Sequence, residues 1–367
     1  MQTYDVVVIG AGAMGSAAAR ALAAAGREVL VLEQYELGHN RGGSHGGTRL
    51  FRLAIDDEAE LLRAEQSRAL WEELESETGV RMLDLVGGVD HGVDEHQVRE
   101  FEEQFRRHGI DHQVLEPAEA TERWPGMRFE TKVLYQPRSG RALADQALTA
   151  IRESAQSLGV EFRTNCPVTR LKLAGAADGL VDLETPAGAV RARQVVVTAG
   201  PWAPRILGGH LGLPAITVSQ EQPRFFAPLD PDSAWPVFVH RRRGDAPLDS
   251  AAVYGVFEEG HGVKVGMHAT GTVIELDQRD FAIEPKRDAA LLAYVRDWFP
   301  GVDVTRSEAI SCLYDNTERD DFVIDRRGPI SVATGFHGEG FKFVPLVARY
   351  LSELVTGTGS PPAAFAL

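Results

Sequence analysis

The chain has 367 residues, 44% of them hydrophobic and 25% charged. That length suggests two lobes, and that mixture suits a soluble globular protein with a real core. Asp and Glu number 53 against 38 Lys and Arg, a net charge of −15, and such a field repels nucleic-acid phosphates and anionic membranes. Only two cysteines occur, Cys166 and Cys312, which excludes a disulfide framework or a Cys-rich zinc site and fits a reducing compartment. No basic segment precedes the first apolar run, and no apolar stretch reaches the roughly 20 residues of a bilayer span. The expectation is a cytoplasmic protein, a monomer, with no nucleic-acid or membrane partner.

Val6-Val7-Val8-Ile9 reads as a parallel strand buried on both faces. It runs into Gly10-Ala11-Gly12-Ala13-Met14-Gly15, then an Ala-rich stretch from Ser16 to Ala25 with high helix propensity, stopped by Gly26. A second apolar strand, Glu28 to Leu32, closes on Glu33. Gly10 permits the tight turn, Gly12 lets a pyrophosphate approach the backbone, and Gly15 lets helix and strand pack closely. The N–H groups and dipole at the helix start favour phosphates, and Glu33 is placed to accept both ribose hydroxyls. These parts together predict a dinucleotide site. The acid argues against NADP and does not separate NAD from FAD.

The segment His39 to Arg52 is Gly-rich, polar and cationic, and its glycines allow close approach to a flat ring or a phosphate. Glu58 to Glu77 predicts an amphipathic helix with Leu61, Leu62, Ala69, Leu70 and Leu74 on its apolar face. Gln194-Val195-Val196-Val197 reads as a return strand ending at Ala199-Gly200-Pro201-Trp202. Ala251 to Val256 and Gly262 to Met267 read as antiparallel strands. Ser331 to Gly335 is a further strand end, leading to a closing helix from about Val344 to Leu354. Lys264 between two valines fits an outward-facing lysine as well as a functional one, and Cys312 in an apolar run fits a small buried hydrophobe. Cys166 reads as structural. His39, His45, His268 and His337 share no ligand spacing, so no metal site is expected.

The motifs Gly10 to Gly15, Gly43-Ser44-His45-Gly46-Gly47-Thr48-Arg49-Leu50-Phe51-Arg52, Arg123 to Gly126, Val197 to Trp202, Val263 to His268, Cys312 to Asn316, Asp321 to Asp325 and Gly338-Glu339-Gly340-Phe341-Lys342-Phe343 follow one order along nearly the whole chain. In them the sequence resembles the monomeric sarcosine oxidase and N-methyltryptophan oxidase family of D-amino-acid-oxidase-like flavoproteins. The resemblance implies an α/β fold: a Rossmann-type, GR2-like FAD-binding lobe, and a substrate lobe on a mixed or antiparallel sheet roofing the flavin. The FAD lobe is expected over 1–85, 145–215 and 325–367, and the substrate lobe over 86–144 and 216–324.

The resemblance further implies FAD bound covalently through Cys312, with Gly10, Gly12, Met14, Gly15, Glu33, Gln34, Ser44, His45, Thr48, Arg49, Val168, Gly338, Gly340, Phe341 and Lys342 around the cofactor. Arg49 would lie near the ring, and Lys264 near flavin N5, helping to activate oxygen. Arg52 and Lys342 would bind a substrate carboxylate, and His268 and Tyr254 would line the pocket. The reaction implied is oxidation of a secondary amino acid by molecular oxygen, giving an imine, then aldehyde and amino acid, with hydrogen peroxide. Arg and Lys far apart in sequence suit a carboxylate, as a planar fork and a point charge. Three positions depart from the family pattern. Ile55 replaces an aromatic residue and Glu339 a His, so both point away from sarcosine; Ser44 also replaces a His. A flavin dehydrogenase with another electron acceptor, an oxidase of cyclic imino acids or sugar-derived amines, and a binding module without turnover are the alternatives.

Overall fold

The computed structural model describes residues 2–174, 179–241, 252–319 and 321–367. The strand Thr3–Ile9 lies between two parallel neighbours, Val29–Leu32 and Gly188–Val197. Both of its faces are buried: Val6 and Val8 enter one core cluster, Val7 and Ile9 another. A strand covered on both sides has no solvent face to mark with polar residues, which is why the run is uninterrupted. The first cluster is built with the helices Ala13–Ala24, Ala144–Ser157 and Val344–Thr356. The second includes Leu171, Val181, Leu183 and the buried Cys166.

This sheet has eight strands. Arg170–Ala174, Leu180–Thr185, Gly188–Val197, Thr3–Ile9, Val29–Leu32 and Glu161–Arg163 lie side by side in that order. Ile330–Thr334 pairs in parallel with the far end of Gly188–Val197, and Val323–Arg327 pairs with it in turn. A second eight-stranded sheet runs Val302–Ala309, Arg224–Pro228, Gly262–Met267, Ala252–Glu258, Val237–Arg241, Gly88–His91, Val133–Gln136 and Gln113–Leu115. All its pairings are antiparallel except that of Val237–Arg241 with Gly88–His91. The expected antiparallel pair is present as Ala252–Glu258 with Gly262–Met267; Ala251 lies outside the described residues. Two small sheets complete the frame. In one, Cys312–Thr317 pairs with Ile216–Glu221; in the other, Thr48–Phe51 pairs with Gly140–Leu143.

Three expectations need correction. The first helix starts at Ala13, before the Ala-rich stretch, with Gly12 as its N-cap. In the helix Glu58–Thr78 the buried stripe is Leu61, Ala64, Ser67, Trp71 and Leu74, whereas Leu62 and Ala69 are exposed. Trp71 and Ser67 face inward because both donate to the carbonyl of Lys342, over 3.0 and 2.6 Å. Ile55 is buried in the first core cluster and lines neither large cavity, so its departure from the family pattern concerns packing. Among the described residues no helix is long and apolar enough to cross a membrane, and no three His, Cys, Asp or Glu side chains gather as for a metal ion.

Candidate active site

Gly10 adopts φ +101°, a backbone that side chains rarely tolerate, and a Cβ there would lie 2.7 Å from the Thr198 carbonyl oxygen. At Gly15 a Cβ would lie 1.9 Å from the Gly10 carbonyl oxygen and 2.5 Å from Thr198 Oγ1. Helix and strand therefore touch at Gly15, which lines neither of the two cavities described next. Beside this turn opens a cavity of about 630 Å³ lined by Gly10, Gly12, Met14, Glu33, Gln34, Ser44, Val168, Thr198, Trp202, Gly340 and others. A second cavity of about 600 Å³ is lined by Thr48, Arg52, Tyr254, Lys264, His268, Cys312, Tyr314, Glu339 and Lys342. His45, Arg49, Asp145, Gly338 and Phe341 line both.

The helix start is partly occupied by the chain itself. Ala11 N–H donates to Glu33 Oε2 at 2.7 Å, and Ala13 N–H to Ser44 Oγ at 3.0 Å. The Ala13 amide is a free N–H of the helix terminus, which any nearby acceptor can satisfy, and the Ala11 amide belongs to the turn before the cap. Glu33 Oε1 accepts from Tyr35 N–H at 3.0 Å and lies 3.5 Å from His39 Nε2. Burial pushes the Glu33 carboxyl up, and the His39, Ala11 and Tyr35 contacts outweigh it, leaving it below its usual value and ionised. Arg152 stands next to this turn, donating to the Ala11 carbonyl at 2.7 Å and to Ser16 Oγ at 3.2 Å. It lines the same cavity and was not singled out from the sequence, where it is one arginine among many on an amphipathic helix.

Arg49 is committed to its own loop, donating to the carbonyls of Thr48, Gly43 and His45 at 2.8, 3.0 and 2.6 Å, with its guanidinium 5.7 Å from the Phe341 ring centre. His45 Nε2 is buried without a partner between the two cavities, and burial together with Arg49 lowers its pKa to about 4, so the ring is neutral. A glycine cradle, an orphaned ring nitrogen and two adjoining cavities make a fit for a long nucleotide cofactor carrying a flat ring. The cradle would hold the nucleotide end of such a cofactor, and Arg49, His45 and Phe341 line both spaces.

Lys264 is not the outward-facing lysine its neighbours allow. It is 6% exposed, and its Nζ donates to Thr48 O at 2.9 Å and Thr48 Oγ1 at 3.2 Å, with Glu258 Oε2 3.6 Å away. The Thr48 hydroxyl in turn donates to Glu258 Oε2 at 2.6 Å. Glu258 comes this close because Gly47 has no side chain: a Cβ there would sit 2.7 Å from Glu258 Oε1. Burial and the Arg49 charge pull the Lys264 pKa down to about 8, with Glu258 opposing. Glu258 carries no such signal in the sequence: it ends the strand Ala252–Glu258 beside Glu259, and an acidic pair at a strand end reads as solvated surface. Burial also raises the Cys312 thiol, which lines the same cavity as Lys264, although Arg49 pulls it down.

Arg52 and Lys342 meet on a carboxylate that belongs to the protein. Lys342 Nζ donates to Glu339 Oε2 at 2.9 Å and lies 3.1 Å from Glu60 Oε1, while Arg52 Nη2 reaches Glu339 Oε1 at 3.4 Å. The Lys342 ammonium first, then Arg52, hold the Glu339 carboxyl below the usual range against its burial. Arg52 also donates to the Ala54 carbonyl. Lys342 is fixed through its backbone by Ser67 and Trp71, and the Trp71 ring stacks on Phe341. His268 Nε2 lies 3.9 Å from Glu339 Oε1, and its Nδ1 lies 3.4 Å from the Tyr314 hydroxyl. Burial lowers the His268 pKa, with Glu339 opposing and Arg52 assisting. Tyr254 and Tyr314 share a hydrogen bond, and burial raises both phenols.

Residues 5–354 match the model of the FAD dependent oxidoreductase family. The chain is similar to monomeric sarcosine oxidase from Streptomyces avermitilis, 33% identical over 378 residues that cover 98% of this chain and 96% of the relative. It is also similar to monomeric sarcosine oxidase from Bacillus sp. (strain NS-129), 29% identical with 96% and 93% covered. N-methyl-L-tryptophan oxidase from Yersinia pestis is 27% identical, with 98% and 96% covered. Among solved structures, NikD, an unusual amino acid oxidase, superposes with a TM-score of 0.88 at 24% identity, covering 100% of this chain and 98% of that one, a likeness of fold. From the match over nearly its whole length, the chain belongs to the FAD dependent oxidoreductase family.

Proposed function

We propose that the protein is an FAD-dependent oxidase of secondary amino acids, the residues above serving the roles that the family resemblance implies. The observation that supports this most is the meeting of Arg52 and Lys342, distant in sequence, within ion-pair reach of one carboxylate on the wall of the cavity beside the nucleotide cradle. A fork and a point charge so placed orient a carboxylate, and with it the carbon next to the amine. FAD held in the nucleotide cradle would supply the redox chemistry, a two-electron oxidation of the amine with oxygen as final acceptor. The overall change is amine plus oxygen plus water to amino acid, aldehyde and hydrogen peroxide.

The chain's own groups supply orientation and charge. Burial in the second cavity favours the neutral amine, whose lone pair the oxidation needs. Lys264, held by Thr48 and Glu258, keeps a positive charge at neutral pH against the cavity wall, where oxygen must gain negative charge. His268 and Tyr254 shape the space around the substrate. Cys312 is proposed as the covalent attachment point, through a thioether whose formation sends two electrons and two protons to oxygen; its place on the same wall as Lys264 and Arg49 supports this. The test is anaerobic mixing of the yellow holoenzyme with N-methyl amino acids, followed by peroxide measurement under air. Bleaching and stoichiometric peroxide are expected; a folded yellow protein that none of them bleaches would overturn the reading. Acid precipitation should carry the colour down with the chain and release it from Cys312→Ala.

A further inference from the structure

The carboxylate clamp is electrically satisfied before any substrate arrives. Arg52 and Lys342 face Glu339 and Glu60, two cations against two carboxylates. Among the described residues nearby, Arg241 is paired with both Asp56, at 2.8 Å, and Asp90, at 3.4 Å, so no free positive charge is added there. An α-carboxylate entering this site must take the place of Glu339 on Arg52 and Lys342. Glu339 can yield: it sits between Gly338 and Gly340, lines the cavity, and its side chain is 29% exposed.

Among the described residues lining that cavity, the other two strong cations, Arg49 and Lys264, are already taken. Arg49 is committed to three loop carbonyls, and Lys264 to Thr48 and Glu258. His268, the ring within 3.9 Å, is kept neutral by burial at neutral pH. A carboxylate left unpaired in such a site is costly. A substrate that brings its own second cation removes that cost.

We propose that Glu339 is a specificity residue that selects secondary amino acids carrying, besides the α-carboxylate and the reacting amine, a second cationic group on the side chain. This rests on the amino acid oxidase reading above. The substrate carboxylate takes Arg52 and Lys342, Glu339 turns from them into the cavity, and the substrate's side-chain ammonium or guanidinium takes Glu339. A neutral side chain at this position would leave the clamp free for a plain N-methyl amino acid and would offer nothing to a second cation.

The test compares Nα-methyl-lysine with N-methylnorleucine, which has the same chain length without the ammonium. Both are titrated anaerobically into the wild-type holoenzyme and into Glu339→Gln, and the apparent Kd and bleaching rate are read from the flavin absorbance. In the wild type the lysine derivative should be favoured by about tenfold or more, the worth of one charge-assisted contact. Glu339→Gln should bring the ratio near unity, chiefly by tightening N-methylnorleucine binding. Bleaching by both compounds without preference in the wild type, a ratio that needs no variant, overturns the proposal and leaves the oxidase reading standing. A preference kept in a folded, yellow Glu339→Gln also overturns it. Failure of every N-methyl amino acid to bleach the wild type overturns the oxidase reading, and this proposal with it.

Discussion

Replacing Glu258 by Gln tests how the charge on Lys264 is maintained. The carboxylate stands 3.6 Å from Nζ and is the largest influence opposing burial there. At that separation a unit charge is worth about 5 kcal/mol with an effective dielectric of about 20, or about three pH units as a ceiling. Gln keeps the shape and can still accept from the Thr48 hydroxyl, so the change is electrostatic more than steric. Lys264 starts at about 8. Loss of even half the ceiling places its pKa below neutrality, so the variant's lysine is uncharged at pH 7. The readout is the rate of reoxidation by oxygen after anaerobic reduction, followed by stopped flow across pH. In the wild type the rate should fall as pH rises through about 8, because the protonated lysine is the helpful form. In Glu258→Gln the same limb should lie at least one pH unit lower, with the reductive half-reaction little altered. A limb that stays at about 8 would refute the coupling between Glu258 and Lys264.

Two further outcomes follow from the geometry. Lys264→Met should slow reoxidation by about a hundredfold, the worth of one well-placed charge, and slow reduction by substrate far less; equal losses in both half-reactions would remove its assigned role. Gly15→Ala puts a methyl group 1.9 Å from the Gly10 carbonyl oxygen, so helix and strand must part. A loss of about 1–3 kcal/mol in denaturant stability is expected, along with weakened FAD retention, and an unchanged Cm with full FAD content would contradict the packing account.

What the residues reveal on their own follows how local each feature is. Gly10, Gly12 and Gly15 are legible because strand, turn and helix are contiguous, and the clash that a Cβ would meet at Gly15 is the one its position in the motif anticipates. Lys264 is not legible in this way, since a lysine between valines is equally good on an exposed edge; its burial depends on Gly47 and Glu258, which reach it from other segments. Glu339 stands out in the sequence as a departure, and an acid near the ring is visible there, but its seat between Arg52 and Lys342 is a property of the folded turn Gly340–Phe343 clamped by Trp71. Ile55 shows the opposite failure. A substitution in a motif reads as a specificity change, while the side chain points into the core. The amide of Ala13 shows a third: a helix N-terminus predicts an acceptor without saying which one arrives.

The proposed oxidase depends on Arg52 and Lys342 jointly seating a substrate carboxylate. The most direct measurement of this is an anaerobic titration of the wild-type holoenzyme with the best N-methyl amino acid and with the corresponding primary amide, which keeps the reacting amine and loses only the negative charge. The amide should bind and bleach at least about a hundredfold less well, the scale of a lost partner in a buried charge pair. Equal bleaching by acid and amide would contradict it.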